Sequence, residues 1–166
     1  MVIINQHRAH YRILYEEVLR NITMASAVSQ QLLFPLKVSF SKQEVILLKS
    51  VQEHLENTGF VFEDISGEDV TISGIPAVTT ESEVSMLLEK LVSDIEQEVP
   101  DSGFSLTDLL VRSISGSIAV RTGVDLVKEQ QQHIVNSLFA CTEPTITPDN
   151  KPTFITLTVD DIDKNF

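Results

Sequence analysis

The chain has few basic residues, and none of them are clustered. Its 166 residues include 12 Lys and Arg against 24 Asp and Glu, so the formal net charge is −12. A nucleic-acid-binding domain neutralises phosphates with clustered Lys and Arg, whereas here every basic residue stands alone in the sequence. The shortage argues against autonomous DNA binding by this chain.

Cysteine and long apolar runs are also scarce. Cys141 is the single cysteine, so an internal disulfide is impossible and a reducing compartment fits best. No apolar run approaches the ~18 residues of a membrane span, and the first residues lack the basic region of a secretory signal. With 42% hydrophobic residues and a mean hydropathy of +0.08, the chain has enough apolar surface for a folded core. The sequence predicts one folded, cytoplasmic domain without a membrane segment.

Catalytic motifs are missing as well. There is no Gly-rich phosphate loop, no nucleophile elbow and no HExxH pair. The four histidines are His7, His10, His54 and His133, and they lack the paired spacing of a zinc site. From the residues alone we expect no metal, no cofactor and no enzymatic activity.

The hydrophobic periodicity predicts a mixture of helices and strands. Strands are expected at 2–4 (buried), 32–40, 60–62, 70–72 and 153–158, and helices at 7–20, 41–59, 80–99, 106–121 and 125–139. Capping boxes at Ser41/Glu44 and Thr80/Glu83 mark two helix starts. Gly59 marks the end of the first of these helices, and residues 100–103 are expected to end the second. Because helices and strands do not alternate strictly, α+β is favoured over a doubly wound sheet, with the helix–hairpin–helix block 41–99 inserted.

Three independent stretches resemble the C-terminal domain of the MutL family of DNA mismatch repair proteins. Residues 2–16, VIINQHRAHYRILYE, are similar to the family's strand followed by a DQHAxxERxxYE-type helix. Residues 30–35, QQLLFP, are similar to its QQLLFP strand, and residues 151–153, KPT, to its RPT segment. Order and spacing agree over essentially the whole chain.

This resemblance implies a two-lobed fold and a homodimer. A discontinuous internal lobe, 1–40 and 103–166, dimerises, and an external lobe, 41–102, is inserted into it. In the family an ATPase region precedes this domain, so the chain looks like a fragment. The implied function is to couple two ATPase arms and to contact repair partners.

The nuclease pattern of some family members is largely absent here. Only His7 and Glu16 remain of its ligand set, and the other positions hold Asn5, Tyr11, Gly116, Thr147 and Asp149. One imidazole and one distant carboxylate would exchange a divalent metal rapidly. The resemblance therefore implies a nuclease-deficient member in which His7 is structural. The alternative is a divergent nicking endonuclease with a rearranged metal site.

Gln30, Leu33 and Pro35 resemble the family's motif for binding the replication sliding clamp. An edge segment with apolar side chains fits a hydrophobic groove, and Pro35, which has no amide hydrogen, confines the strand to an edge or a bulge. The alternative is an ordinary edge strand whose Leu33 faces the core. Clamp binding requires Gln30 and Leu33 to be accessible. Mismatch-recognition, helicase or nuclease proteins are further implied partners, and a small-molecule site has no support.

Overall fold

The computed structural model describes residues 1–24, 27–97, 106–159 and 161. These residues form six helices and two antiparallel sheets, which confirms the predicted α+β class. The chain divides into two compact units, and the division falls inside the first helix. We call residues 1–17 and 119–166 the terminal unit, and residues 18–118 the central unit.

The central unit combines a three-stranded sheet with four helices. In chain order its elements are β2 (Ser29–Ser39), α2 (Lys42–Ser50), α3 (Gln52–Glu56), β3 (Val61–Ser66), β4 (Asp69–Pro76), α4 (Glu81–Gln97) and α5 (Leu106–Ile118). The strand order is β2-β4-β3. Helices α2 and α4 pack against the sheet, and α5 packs against α4 and α3.

Local sequence signals determine where the helices of the central unit begin. The Ser41 side chain accepts the Glu44 amide while the Glu44 carboxylate accepts the Ser41 amide, and α2 begins there. The Glu83 carboxylate likewise accepts the Thr80 amide at 3.1 Å before α4. The inward side chains of α4 recur every three or four residues and are all buried: Val84, Leu87, Leu88, Leu91 and Val92.

Two glycines allow close approach within this unit. Gly59 has φ +108°, and a Cβ there would lie 3.0 Å from the carbonyl oxygen of Val28. At Gly74 in β4 a Cβ would lie 2.8 Å from a methyl carbon of Val61. Both positions therefore favour glycine for steric reasons. The left-handed backbone predicted for Gly59 is confirmed, but the helix before it already ends at Glu56.

The terminal unit joins the two ends of the chain. Strand β1 (Val2–Ile4) pairs antiparallel with β5 (Phe154–Thr156), and α6 (Lys128–Phe139) packs against the start of α1 (Gln6–Thr23). A small apolar cluster holds these elements together, with Ala9, Ile134 and Leu138 buried at its centre and Ile4 and Phe154 beside them.

Several predicted boundaries were wrong. The single helix expected at 41–59 is interrupted at Val51, which separates α2 from α3. The helix expected to reach residue 121 ends at Ile118, and β1, expected to be buried, is largely exposed because no described residue covers its outer face. The break expected at 100–103 lies outside the described residues.

The central unit is larger than the inserted block 41–102 drawn from the sequence. Strand β2 pairs with β4, and α5 packs against α4, so both elements join the central unit instead of the two chain ends. The assignment of dimerisation to one part of the chain stays a prediction. Within the described ranges, no helix is long and apolar enough to cross a membrane.

Candidate functional site: the nuclease-pattern positions and an exposed edge segment

Two histidines of α1 bind the backbone of the same residue, Val120. His7 Nδ1 lies 2.8 Å from the carbonyl oxygen of Val120, and the amide of Val120 donates to His10 Nδ1 at 2.9 Å. Because that amide bonds to His10, it is not available to continue α5, which explains why the helix ends at Ile118. His7 thus has the structural role that the sequence analysis assigned to it.

Burial lowers the pKa of His10, and the nearby imidazoles of His133 and His7 lower it further. The geometry requires the same protonation state, since Nδ1 accepts a hydrogen bond only when it carries no proton. His10 is therefore a neutral acceptor in the folded protein.

Two other nuclease-pattern positions contact each other. The hydroxyl of Tyr11 donates to Asp149 Oδ1 at 3.5 Å, and the Tyr11 ring stacks on His7 with centroids 6.5 Å apart. Asp149 lies in a tight turn in which Asn150 has φ +58° and the Thr147 amide donates to the Lys151 carbonyl. A phenol, a carboxylate and an imidazole thus lie together where the resemblance would place metal ligands.

Glu16 is held by three donors. The amides of Thr142 and Glu143 donate to its carboxylate at 2.8 and 3.1 Å, and Arg12 Nε donates at 2.9 Å. Arg12 is buried and also pairs with Glu143 at 2.8 Å. Burial alone would raise the pKa of Glu16, but these amide and guanidinium hydrogen bonds outweigh it, so the pKa is lowered. Glu16 ties α1 to the turn at 142–143.

Both surviving members of the nuclease pattern are therefore engaged in internal contacts. His7 bonds to Val120, and Glu16 bonds to Arg12 and two amides. In the part of the chain that the structure describes, no group of three or more His, Cys, Asp or Glu side chains is arranged to hold a metal ion. Gly116 lies on α5 in the central unit. The roles of Arg12 and His10 have no signal in the sequence, because hydrogen bonds between distant segments leave no local pattern.

The second candidate site is the exposed edge segment, residues 30–35 of β2. Strand β2 lies at the edge of its sheet, and its register with β4 shifts between Gln31 and Leu36. Leu32 turns inward and is 8% exposed, whereas Leu33 is 87% exposed. The expectation that Pro35 marks an edge or a bulge is confirmed, since it lies at both. The alternative in which Leu33 faces the core is wrong, because Leu32 takes that place.

Gln30 and Pro35 are exposed as well. The three residues singled out from the sequence therefore share one accessible segment, which meets the condition set for partner binding. The segment also contains Phe34, 75% exposed, which the sequence pattern did not single out.

A family model described as "MutL C terminal dimerisation domain" matches residues 1–126. Whole-chain relatives are called "DNA mismatch repair protein MutL": the chain is 58% identical to that of Christiangramia forsetii and 54% identical to that of Flavobacterium psychrophilum. The protein of Parabacteroides distasonis is 34% identical over 170 aligned residues. Each match covers all of this chain but 27% of the relative, so the chain spans about a quarter of the length of these proteins.

Proposed function

Since the chain belongs to the MutL C-terminal dimerisation domain family, we propose that it forms the homodimer of a DNA mismatch repair protein in the cytoplasm. In this role it couples two N-terminal ATPase arms and presents surfaces to repair partners. The family match carries the proposal, and the exposed apolar face of the terminal unit supports it.

That face is the outer side of the β1–β5 sheet. Ile3 pairs with Ile155 across the two strands, and their side chains are 46% and 49% exposed. Their neighbours Ile4 and Phe154 point to the opposite side and pack against the apolar cluster, as strand alternation requires. A two-stranded sheet is marginal alone in water. A second copy would cover this face, because two-fold contacts are self-complementary.

Sedimentation equilibrium tests the dimer directly. We expect a mass of about 37 kDa, twice the 18.5 kDa of the chain, and a contact burying more than ~1,200 Å². The charge of −12 on each copy opposes association, so added salt should tighten the dimer. Ile155→Asp should give a monomer, whereas Ile46→Asp, the same change at an exposed position of α2 in the central unit, should not. A wild-type monomer at tens of micromolar protein in physiological salt refutes the proposal.

We also propose that the domain is not a nuclease. The support is that His7 and Glu16 already have internal partners and that Tyr11 and Asp149 bond to each other. Supercoiled plasmid incubated with the full-length protein and manganese should stay closed. Nicking that His7→Ala abolishes, with the dimer intact, would instead favour the divergent endonuclease.

The third part of the proposal is that Gln30, Leu33 and Pro35 bind the replication sliding clamp. Their shared exposure on an edge strand supports this role, because such a segment can enter a groove on a partner. Mismatch-recognition, helicase or nuclease proteins would engage other surfaces of the dimer. DNA binding through this domain would be weak at most, given its acidity.

A further inference from the structure

Side chains at the start of α1 bind the stretch of chain between α5 and α6. This connecting segment, residues 119–127, contains no helix or strand of its own. Gln6 Nε2 donates to the carbonyl oxygen of Val124 at 2.6 Å, and the two histidines of α1 bond to the backbone of Val120. Hydrogen bonds from one helix therefore hold an otherwise irregular segment in place.

The connecting segment also covers the apolar cluster of the terminal unit. Val120 and Leu126 pack against the buried side chains of Ala9, Ile134 and Leu138. The bonds to the backbone of Val120 thus keep an apolar side chain in contact with the cluster. If the segment left α1, apolar surface on α1 and α6 would become accessible to water.

The two histidines that hold the segment respond differently to a proton. His7 Nδ1 faces a carbonyl oxygen, which only accepts, so this nitrogen carries a hydrogen whether the ring is neutral or charged. His10 Nδ1 faces the amide of Val120, which only donates, so this nitrogen must carry no hydrogen. A proton on His10 Nδ1 would place two donors against each other at 2.9 Å. Protonation therefore breaks the bond of His10 and leaves that of His7 intact.

The surroundings of His10 also oppose a positive charge on its ring. Burial lowers the pKa of His10, and the imidazoles of His133 on α6 and His7 on α1 lower it further. The charged residues of the connecting segment, Arg121 and Asp125, are exposed. The charged ring is therefore better accommodated once the segment has left α1 and water reaches it.

We propose that His10 is a proton-operated switch for the connecting segment: the neutral imidazole holds residues 119–127 on α1, and a proton on Nδ1 releases them. Release uncovers Val120 and Leu126 in the terminal unit. It is a local opening, because the central unit is a separate compact unit with its own core.

Native-state hydrogen exchange of the purified chain, from about pH 7.5 to about pH 5, tests the switch once rates are corrected for the intrinsic pH dependence of exchange. Because one proton is taken up on opening, the opening constant at the Val120 amide should rise by up to about tenfold per pH unit below about pH 6.5. Amides of β4 should stay far better protected throughout, which distinguishes release of the segment from unfolding of the chain.

Two variants separate the proton from the strength of the contact. His10→Asn keeps an acceptor for the Val120 amide but has no group that takes up a proton in this range, so opening should no longer depend on pH. Gln6→Ala removes the bond to Val124 and is the matched control. It should raise opening by about two- to tenfold at every pH, the effect of one lost hydrogen bond, with the pH dependence of the wild type.

A third variant tests the electrostatic surroundings. His133 is exposed on α6, so His133→Gln should leave the fold intact. Because His133 lowers the pKa of His10, its removal should move the rise in opening to higher pH. A purely structural role of His10 gives no such shift.

The outcomes decide the proposal directly. An opening constant at Val120 that does not change with pH in the wild type overturns the switch. Equal pH dependence in His10→Asn and wild type overturns it as well, because another group then takes up the proton. If His10→Asn does not fold, the titration of His10 followed by NMR in the wild type decides. Uptake of the proton without faster exchange at Val120 contradicts the proposal, and faster exchange with the same midpoint supports it.

Discussion

The central and terminal units are stabilised in different ways. The central unit buries a continuous set of large side chains from its sheet and helices, including Leu48, Ile72, Leu88 and Leu110 at 0% exposure. Among its described residues, the terminal unit has a small apolar cluster around Ala9, Ile134 and Leu138, and polar contacts of α1 join it further, chiefly those of His10, Arg12 and Glu16. It also exposes apolar residues on the outer face of β1 and β5.

This difference shows that hydrogen bonds can join the two chain ends of the terminal unit where little apolar surface is buried. Burial contributes about 25 cal/mol per Å² without directional demands, whereas buried polar groups must keep all their partners. The stability of the central unit should therefore fall most when a buried side chain is shortened. The stability of the terminal unit should fall most when a hydrogen-bond donor or acceptor is removed, or when a buried side chain changes its protonation state.

The largest effect is expected from a cavity in the central unit. Leu88→Ala removes a fully buried side chain from α4, and such changes cost about 2–5 kcal/mol. Urea unfolding followed by circular dichroism measures the loss, since the chain has no tryptophan. Ile46→Ala, at an exposed position of α2, should change the free energy of unfolding by less than ~0.5 kcal/mol. If Leu88→Ala lowers the free energy of unfolding by less than ~1 kcal/mol, burial of large side chains does not dominate the stability of the central unit.

A smaller but localised effect is expected in the terminal unit. Arg12→Met leaves Glu16 and Glu143 without their guanidinium partner. Removing one member of a buried ion pair costs about 3–5 kcal/mol, and about 2 kcal/mol is expected here because Glu143 is largely exposed. Native-state hydrogen exchange should quicken at α1 and at the amides of Thr142 and Glu143, and not in β4.

The matched control for Arg12 is Lys90→Met. Lys90 pairs with Asp94 on the surface of α4 at 2.8 Å, and exposed pairs of this kind contribute about 0.3–0.5 kcal/mol. If Arg12→Met and Lys90→Met lower the free energy of unfolding equally, polar contacts do not stabilise the terminal unit more than the central unit.

The smallest effect is a dependence on pH. The pKa of His10 is lowered below its ordinary 6.5 by burial and by His133 and His7, so the unfolded chain binds a proton more readily than the folded one. Stability is therefore complete above about pH 6.5 and falls as pH decreases toward the folded pKa. His10→Asn, whose side-chain oxygen can accept the Val120 amide, should make the free energy of unfolding depend less on pH below about pH 6.5. An unchanged slope would contradict this account.

Local signals in the sequence predicted most of the fold. Side chains that bond within three residues, as at Ser41/Glu44, mark helix starts whatever the rest of the chain does. The absence of an amide hydrogen on Pro35 predicted the edge and the bulge, and the exposure of Gln30 and Leu33 agrees with the motif that singled them out.

Contacts between distant segments were not predictable in the same way. The end of α5 depends on His10, which is 110 residues away from Val120. The contact between Tyr11 and Asp149 spans 138 residues, and Arg12 gave no local sign that it would be buried. The outer face of β1 was expected to be buried because its composition is that of a core strand, and composition does not reveal what covers it.

The proline and the shifted register of β2 also have a consequence for solubility. An exposed edge strand with adjacent leucine and phenylalanine is a template for aggregation, because its free amides and carbonyls can recruit the same strand from other molecules. Pro35 removes one amide from this row, the shift between Gln31 and Leu36 interrupts its spacing, and Lys37 adds repulsion between copies. These features oppose pairing between copies while the apolar side chains of the segment stay exposed.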